Sequence, residues 1–216
     1  VRNRIVAAAK RAGRDPGDVT LVAVSKGHSA EAILEAYESG QRDFGENRAA
    51  ELAAKAPGLP DDIRWHFIGS LQSRQAKVAR PYTHLLHSLD RTRLINSWAA
   101  TPSPSPALLQ VNIAGEEQKH GAAPTEVADL LALAREKRMD CVGLMCMPPL
   151  IVDPEDNRRW FRDLRLMRDE LVGDFPSLRH LSMGMTDDYE VAIQEGATLI
   201  RVGRAIFGAP GAPAYD

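Results

Sequence analysis

"VTLVAVSKGHSAEAILEAYESGQRDFGE", residues 19–46, packs a strand, a helix and a second strand into one short span. Val19 to Val24 is an apolar, β-branched run of the kind that forms a strand covered on both faces. Ser29 stands where it can cap a helix whose apolar positions Ile33, Leu34 and Tyr37 precede the terminator Gly40. The turn between strand and helix decides the fold. An open doubly wound sheet usually announces itself with a glycine-rich turn after its first strand, and here that turn reads "SKGHS" (25–29). It also places Lys26 directly after an apolar run, where an unpaired ammonium is costly to bury. Something compensates that charge or uses it.

Outward from this unit the pattern recurs. Apolar runs at 19–25, 42–46, 64–69, 83–89, 107–113, 140–147, 179–184 and 198–203 are each followed by a segment of helical period, the short and charged second run being the weakest. Residues 3–12 predict an extra helix before the first strand. The longest helix is predicted over 154–172: Asp153 caps it, Pro154 fits its first turn, Trp160, Leu164, Met167 and Leu171 form its apolar stripe, and Gly173 ends it. Another follows Thr186, with Asp187, Asp188 and Glu190 near its start and Gly196 as terminator. Strict alternation argues for a parallel sheet, and eight units predict closure into a (β/α)8 TIM barrel of the α/β class. One domain is expected over 1–208, with 209–216 a frayed tail and "TPSPSP" (101–106) a stiff surface connector.

The 216 residues carry 27 basic and 29 acidic side chains, a formal charge of -2 that offers no field of one sign to nucleic acid or an anionic membrane. A local, small ligand is the better expectation. Cys141 and Cys146 are five residues apart in a strand-like run, a spacing that sends them to opposite faces and keeps them from bonding. With no signal-like start and no apolar run approaching a membrane span, this predicts a reducing, cytoplasmic setting. His66, His84, His87, His120 and His180 form no spaced ligand set, so no metal is expected. Asp187 and Asp188 are read as the ordinary acids of a helix's first turn.

A barrel of this kind carries its site at the C-terminal ends of its strands. Those positions are polar here: Lys26, Asn47, Ser70, Ser88, Asp90, Asn112, Ser182 and the pair Arg201 and Arg204, joined by Met145. "SMGM" (182–185) and "RVGRA" (201–205) follow the seventh and eighth runs, the loops that grip a phosphate in many barrels. Acids already occupy the helix start after Thr186, which moves the expected anion cradle to Ser182, Gly184 and Gly203. An imine-forming lysine and a phosphate cradle at one mouth suit a phosphorylated carbonyl compound, and pyridoxal 5'-phosphate has both handles. An inward Arg201 would raise the cost of a nearby ammonium and favour a neutral amine.

The ordered blocks "LVAVSKGHSAEAI", "FGENRAAEL", "RWHFIGSLQSRQAK", "LLHSLDR", "LLQVNIAGEEQKHG", "GLMCMPP", "LSMGMTDDYEVAI" and "RVGRAIFG" cover nearly the whole chain. Together they resemble the pyridoxal phosphate homeostasis protein family, also called the proline synthetase co-transcribed family. The resemblance implies a single-domain barrel similar to the N-terminal domain of alanine racemase, holding pyridoxal 5'-phosphate as an imine on Lys26. It assigns the phosphate to Ser182 and the backbone around Gly203 and Arg204, sets Arg201 against the pyridine nitrogen, and makes Asn47, His66 and Met183 wall residues. It further implies a cytoplasmic monomer without established turnover, acting in vitamin B6 and amino-acid or keto-acid balance, with apo-enzymes that accept the cofactor as partners.

Two positions depart from the family pattern. Arg204 stands where many relatives have threonine, so its side chain either brings charge to the phosphate or points away, leaving the backbone contact. His28 replaces a second lysine, which removes any alternative attachment point there. An always-charged Arg201 beside the ring nitrogen disfavours a pyridinium and with it transamination. The alternative activity is a low-activity amino-acid racemase, which needs a second acid–base group on the far face of its substrate. Racemases of similar fold bring that group from an extra β-domain, which this sequence is not expected to carry. A lysine-imine aldolase acting on a phosphorylated sugar ranks below both.

Overall fold

Each of the eight runs holds a strand in the computed structural model, which describes residues 1–150 and 152–209. The strands are β1 (Thr20–Val24), β2 (Asp43–Glu46), β3 (Arg64–Phe67), β4 (Leu85–Leu89), β5 (Ala107–Val111), β6 (Cys141–Cys146), β7 (His180–Ser182) and β8 (Leu199–Val202). They pair in parallel, in chain order, and close into a barrel. The seam between β1 and β8 runs from Thr20 opposite Leu199 to Ala23 opposite Val202. This is the (β/α)8 architecture that the repeat predicts. The expected tail lies, apart from Ala209, outside the described residues.

The helices are α1 (Arg2–Arg11), α2 (Ala30–Glu38), α3 (Ala49–Lys55), α4 (Ala76–Ala79), α5 (Thr92–Ala99), α6 (Val127–Glu136), α7 (Arg158–Leu171), α8 (Tyr189–Gln194) and α9 (Arg204–Phe207). Ser29 caps α2 by accepting the Ala32 N–H, and α2 and α8 stop at Gly40 and Gly196, whose φ of +91° and +103° suit residues without a Cβ. Outward strand residues such as Phe44, Leu86, Leu109 and Ile200 share one hydrophobic core with Ile33, Leu52, Leu94 and Leu164 of the helices. Val22, Leu85, Leu108, Val142, Met145 and Leu199 form a second cluster drawn from strands alone, which plugs the barrel interior.

Three local expectations need correction. Cys141 and Cys146 do not straddle the sheet. Ala107 pairs with Cys141 but Leu108 with Gly143, so β6 carries one extra residue and both thiols join the core outside the barrel. They are free, and burial pushes each thiol up to about 12. In α7 the buried face centres on Phe161 and Leu164, while Trp160 is half-buried with the Arg159 guanidinium 4.3 Å from its ring centroid. The 101–106 connector is not wholly on the surface, because Thr101 and Ser105 are buried and Trp98 donates its indole N–H to the Ser105 carbonyl at 3.0 Å.

Gly143 fixes how closely β6 approaches β7. A Cβ there would lie 2.0 Å from the His180 carbonyl oxygen, so the two strands must separate to admit any side chain. Gly143→Ala is expected to cost about 1–3 kcal/mol in denaturant unfolding, the usual range for overpacking a tight core. Unchanged stability would contradict this packing.

Candidate functional site

Lys26 follows β1 at the C-terminal rim of the barrel. Its side chain is exposed, and among the described residues it makes no hydrogen bond or ion pair. The backbone on either side of it is firmly held. The Ser25 carbonyl accepts from Lys55 Nζ at 3.0 Å, and the Gly27 N–H donates to Glu51 Oε1 at 2.7 Å. Lys55, at the end of α3, also reaches Glu46 Oε1 at 2.9 Å and Glu51 Oε1 at 2.6 Å, with a side chain that is fully buried. Three donors meet three acceptors, the condition under which a buried ammonium is tolerated. Burial raises the Glu46 carboxyl above its ordinary value against the pull of Lys55 and Ser25. Burial also acts to raise Glu51, but hydrogen bonds from Lys55 and the Gly27 N–H outweigh it and lower that group.

Sequence reasoning missed this second lysine. Its signal was present, since Glu51 and Lys55 are four residues apart on a predicted helix. Nothing in the spacing reported that Glu46, from the weakest strand, would complete the cluster.

The turn after β8 lies beside the Lys26 loop. His28 stacks on Phe207 of α9, with ring centroids 4.9 Å apart, so the first and last loops of the barrel close against each other. Burial lowers the His28 pKa, and Lys55 lowers it further. Gly203 caps α9, and a Cβ built on it would lie 3.3 Å from the Val24 carbonyl oxygen. The first backbone N–H groups of α9 have no acceptor within their own helix. The Arg204 guanidinium pairs with Asp187 of the loop after β7, both side chains being largely exposed, so its charge is already engaged. Gly184, with φ +91°, has Ala192 Cβ 2.6 Å from where its own Cβ would be and admits no larger residue without strain.

Below the rim, polar side chains line the interior beside β2, β3, β4, β7 and β8. Arg201 is buried and donates to Ser182 Oγ at 2.5 Å and to the Cys146 carbonyl at 2.9 Å. Desolvation lowers its pKa from the ordinary arginine value. Ser182 is also 2.8 Å from His87 Nδ1, His87 Nε2 is 2.8 Å from His66 Nδ1, and His66 Nε2 is 3.0 Å from Asp43 Oδ1. His66 therefore sits inside the barrel among partners rather than as a bare wall. Met183 is fully buried in the outer core with Leu181 and Ile200, which makes it a packing residue. Asn47 is half-buried after β2, and among the described residues its enclosed Oδ1 has no hydrogen-bond partner.

Among the described residues, the rim thus combines a free primary amine, the Arg204 and Ala205 N–H groups that have no acceptor within α9, a buried arginine and serine, and the orphaned Asn47 carbonyl. That set fits a phosphorylated aldehyde with further polar substituents. Among the described residues, no group of three or more His, Cys, Asp or Glu side chains converges as a metal would require.

No family model matches the chain. It is 41% identical over 215 residues to a pyridoxal phosphate homeostasis protein of Aquifex aeolicus, covering 96% of this chain and 94% of that one. Against the pyridoxal phosphate homeostasis protein of Escherichia coli K12 it is 40% identical over 222 residues, covering 97% and 93%. Among solved structures, PipY of Synechococcus elongatus with pyridoxal phosphate bound superposes with a TM-score of 0.80 at 36% identity, covering 96% of this chain and 99% of that one.

Proposed function

Because the chain belongs to the pyridoxal phosphate homeostasis protein family, we propose that it binds pyridoxal 5'-phosphate at the C-terminal rim and holds it covalently through Lys26. The cofactor supplies an aldehyde that condenses with a primary amine and expels water. Lys26 offers that amine unpaired on a clamped loop, which is the observation that carries the reading. Ser182 and the backbone N–H groups of Gly203 and Arg204 receive the phosphate, Arg201 faces the pyridine ring from below, and Asn47 uses its orphaned Oδ1 on a donor of the ligand. His66 supports the site from beneath through His87, and Met183 supports it by packing.

The role that follows is storage and exchange of vitamin B6 within amino-acid and keto-acid balance, with apo-enzymes accepting the cofactor from a monomeric, cytoplasmic carrier. Among the described residues no helix is long and apolar enough to cross a membrane. Borohydride treatment of the protein as purified tests the covalent claim. The expected result is a visible absorption band that disappears on reduction, and a stable adduct whose mass maps to the peptide containing Lys26. A reduced adduct on any other lysine overturns the assignment. Gel filtration with light scattering tests the monomer.

A further inference from the structure

The polar groups inside the barrel form one continuous path: Asp43, His66, His87, Ser182 and Arg201, with links of 3.0, 2.8, 2.8 and 2.5 Å. It runs from the N-terminal end of β2, where the partly exposed Arg64 grips both Asp43 oxygens, to the C-terminal end of β7. Every link has a donor and an acceptor, so the charge at one end dictates where the hydrogens lie along it.

Burial acts to raise Asp43, but hydrogen bonds from His66 and Arg64 outweigh it and hold the group at about 2, so it is an acceptor only. His66 Nε2 must then carry a hydrogen toward Asp43. With neutral rings, His66 Nδ1 accepts from His87 Nε2–H, and His87 Nδ1 accepts from the Ser182 hydroxyl. Ser182 gives its single hydrogen inward and also accepts from Arg201, so it presents nothing but lone pairs to an anion. An anion and the inward-pointing Ser182 hydroxyl are in conflict until this path reverses.

Reversal has a definite stoichiometry. If the Ser182 hydroxyl hydrogen passes to His87 Nδ1, the His87 Nε2 hydrogen passes to His66 Nδ1 and a solvent proton from the mouth replaces the one Ser182 gave up, then His66 Nδ1–H donates to His87 Nε2, His87 Nδ1–H donates to Ser182 Oγ and the new hydroxyl hydrogen points toward the mouth. The path then holds one proton more than before, with the positive charge on His66 beside Asp43. The geometry points to a proton-linked switch in which binding a phosphate dianion through Ser182 takes one proton into the barrel; this rests on the cofactor reading given above.

The surrounding charges set the sign. The groups facing the two rings are Asp43 from β2, Arg64 from β3, His84 just before β4, Arg179 and His180 at β7, and Arg201 from β8. In the free protein, burial first and then neighbouring charge, Arg201 included, push His87 well below its ordinary value, so that ring holds a single hydrogen. A dianion beside Arg201 offsets that arginine's repulsion and favours the extra proton. Affinity therefore falls as pH rises.

Calorimetric titration with pyridoxine 5'-phosphate, which has the phosphate but no aldehyde, separates this linkage from chemistry at Lys26. Near pH 8 the free ligand is a dianion. Repeating the titration in two buffers of different ionisation heat reports the protons exchanged. The wild type is expected to take up about one proton per ligand, and its affinity to fall about tenfold per pH unit. Asp43 Oδ1 accepts from Arg64 Nε as well as facing His66 Nε2, so Asp43→Asn is combined with Arg64→Met; the amide can then donate to His66 Nε2 and the neutral path already runs outward, with uptake near zero and a nearly flat pH profile expected. Ser182→Ala should bind more weakly and also without uptake. Binding by the wild type with no proton uptake, or uptake undiminished in the combined Asp43→Asn and Arg64→Met variant, overturns the switch while leaving the cofactor reading intact. Absence of binding by the wild type overturns the phosphate site and the switch together.

Discussion

Lys26→Ala protein, stripped of ligand, is expected to unfold at the same denaturant midpoint as stripped wild type, within about 0.5 kcal/mol, and to lose all covalent capture. The two halves of this result have separate causes. The Lys26 side chain is exposed and, among the described residues, makes no hydrogen bond or ion pair, so its removal is expected to leave the packing of β1, α2 and α3 as it was. Its Nζ is nevertheless the amine at the rim that no acid has claimed, and alanine offers nothing to condense with an aldehyde. The loss should therefore be complete by mass spectrometry after borohydride reduction. Weak, reversible binding of the cofactor should survive through Ser182, Arg201 and the start of α9, and dialysis should remove it. Comparison must use stripped proteins, because bound ligand raises apparent stability by mass action. A reducible adduct of undiminished yield in Lys26→Ala would remove the basis of the proposed function.

The contrast between Lys26 and Lys55 shows where the sequence was legible and where it was not. Lys26 announced itself because it interrupts an apolar run at a strand end, a position that local pattern reading can weigh. The barrel was legible for the same reason, since its period is set by local strand and helix signals repeated eight times. The "RDFGE" run was the weakest expectation because it is short and three of its five residues are charged, yet all four residues of β2 are buried. Both acids are tolerated through partners distant in sequence: Asp43 through Arg64 and His66, Glu46 through Lys55 and Ser25.

No single-strand pattern contains those pairings. The His66 to Ser182 path was likewise invisible, because His87 and Ser182 are 95 residues apart and meet only after the barrel closes. The cysteines failed differently. Their alternation was read from a regular strand, and one extra residue in β6 reset the faces.

Lys55→Met is expected to have the largest effect on the fold itself. Methionine fills a similar volume, so the change chiefly removes the charge that three acceptors share. Glu46 is left as a buried carboxylate with the Ser25 hydroxyl as its remaining donor, and among the described residues Glu46 Oε2 has no partner even in the wild type. Breaking a buried pair in this way costs about 3–5 kcal/mol, measurable by urea unfolding near pH 8.

The pH dependence has a definite sign. Burial already raises the Glu46 carboxyl in the folded state, and loss of Lys55 removes a main influence lowering it. A carboxyl whose folded pKa lies above its unfolded value holds more protons in the folded state, so stability declines as pH climbs from the unfolded value through the folded one. The Lys55→Met penalty should be smallest near pH 5, where Glu46 is increasingly protonated, and full near pH 8. Glu46→Gln added to Lys55→Met should recover about half of the loss at pH 8 and remove most of the difference between the two pH values, since a neutral amide keeps the Ser25 contact without an uncompensated charge.

The Ser25 carbonyl and, through Glu51, the Gly27 N–H also lose their anchor, so the single variant should release cofactor faster even when folded. A Lys55→Met protein as stable as wild type at pH 8, or one that Glu46→Gln does not rescue, would show that this cluster does not hold the Lys26 loop in place.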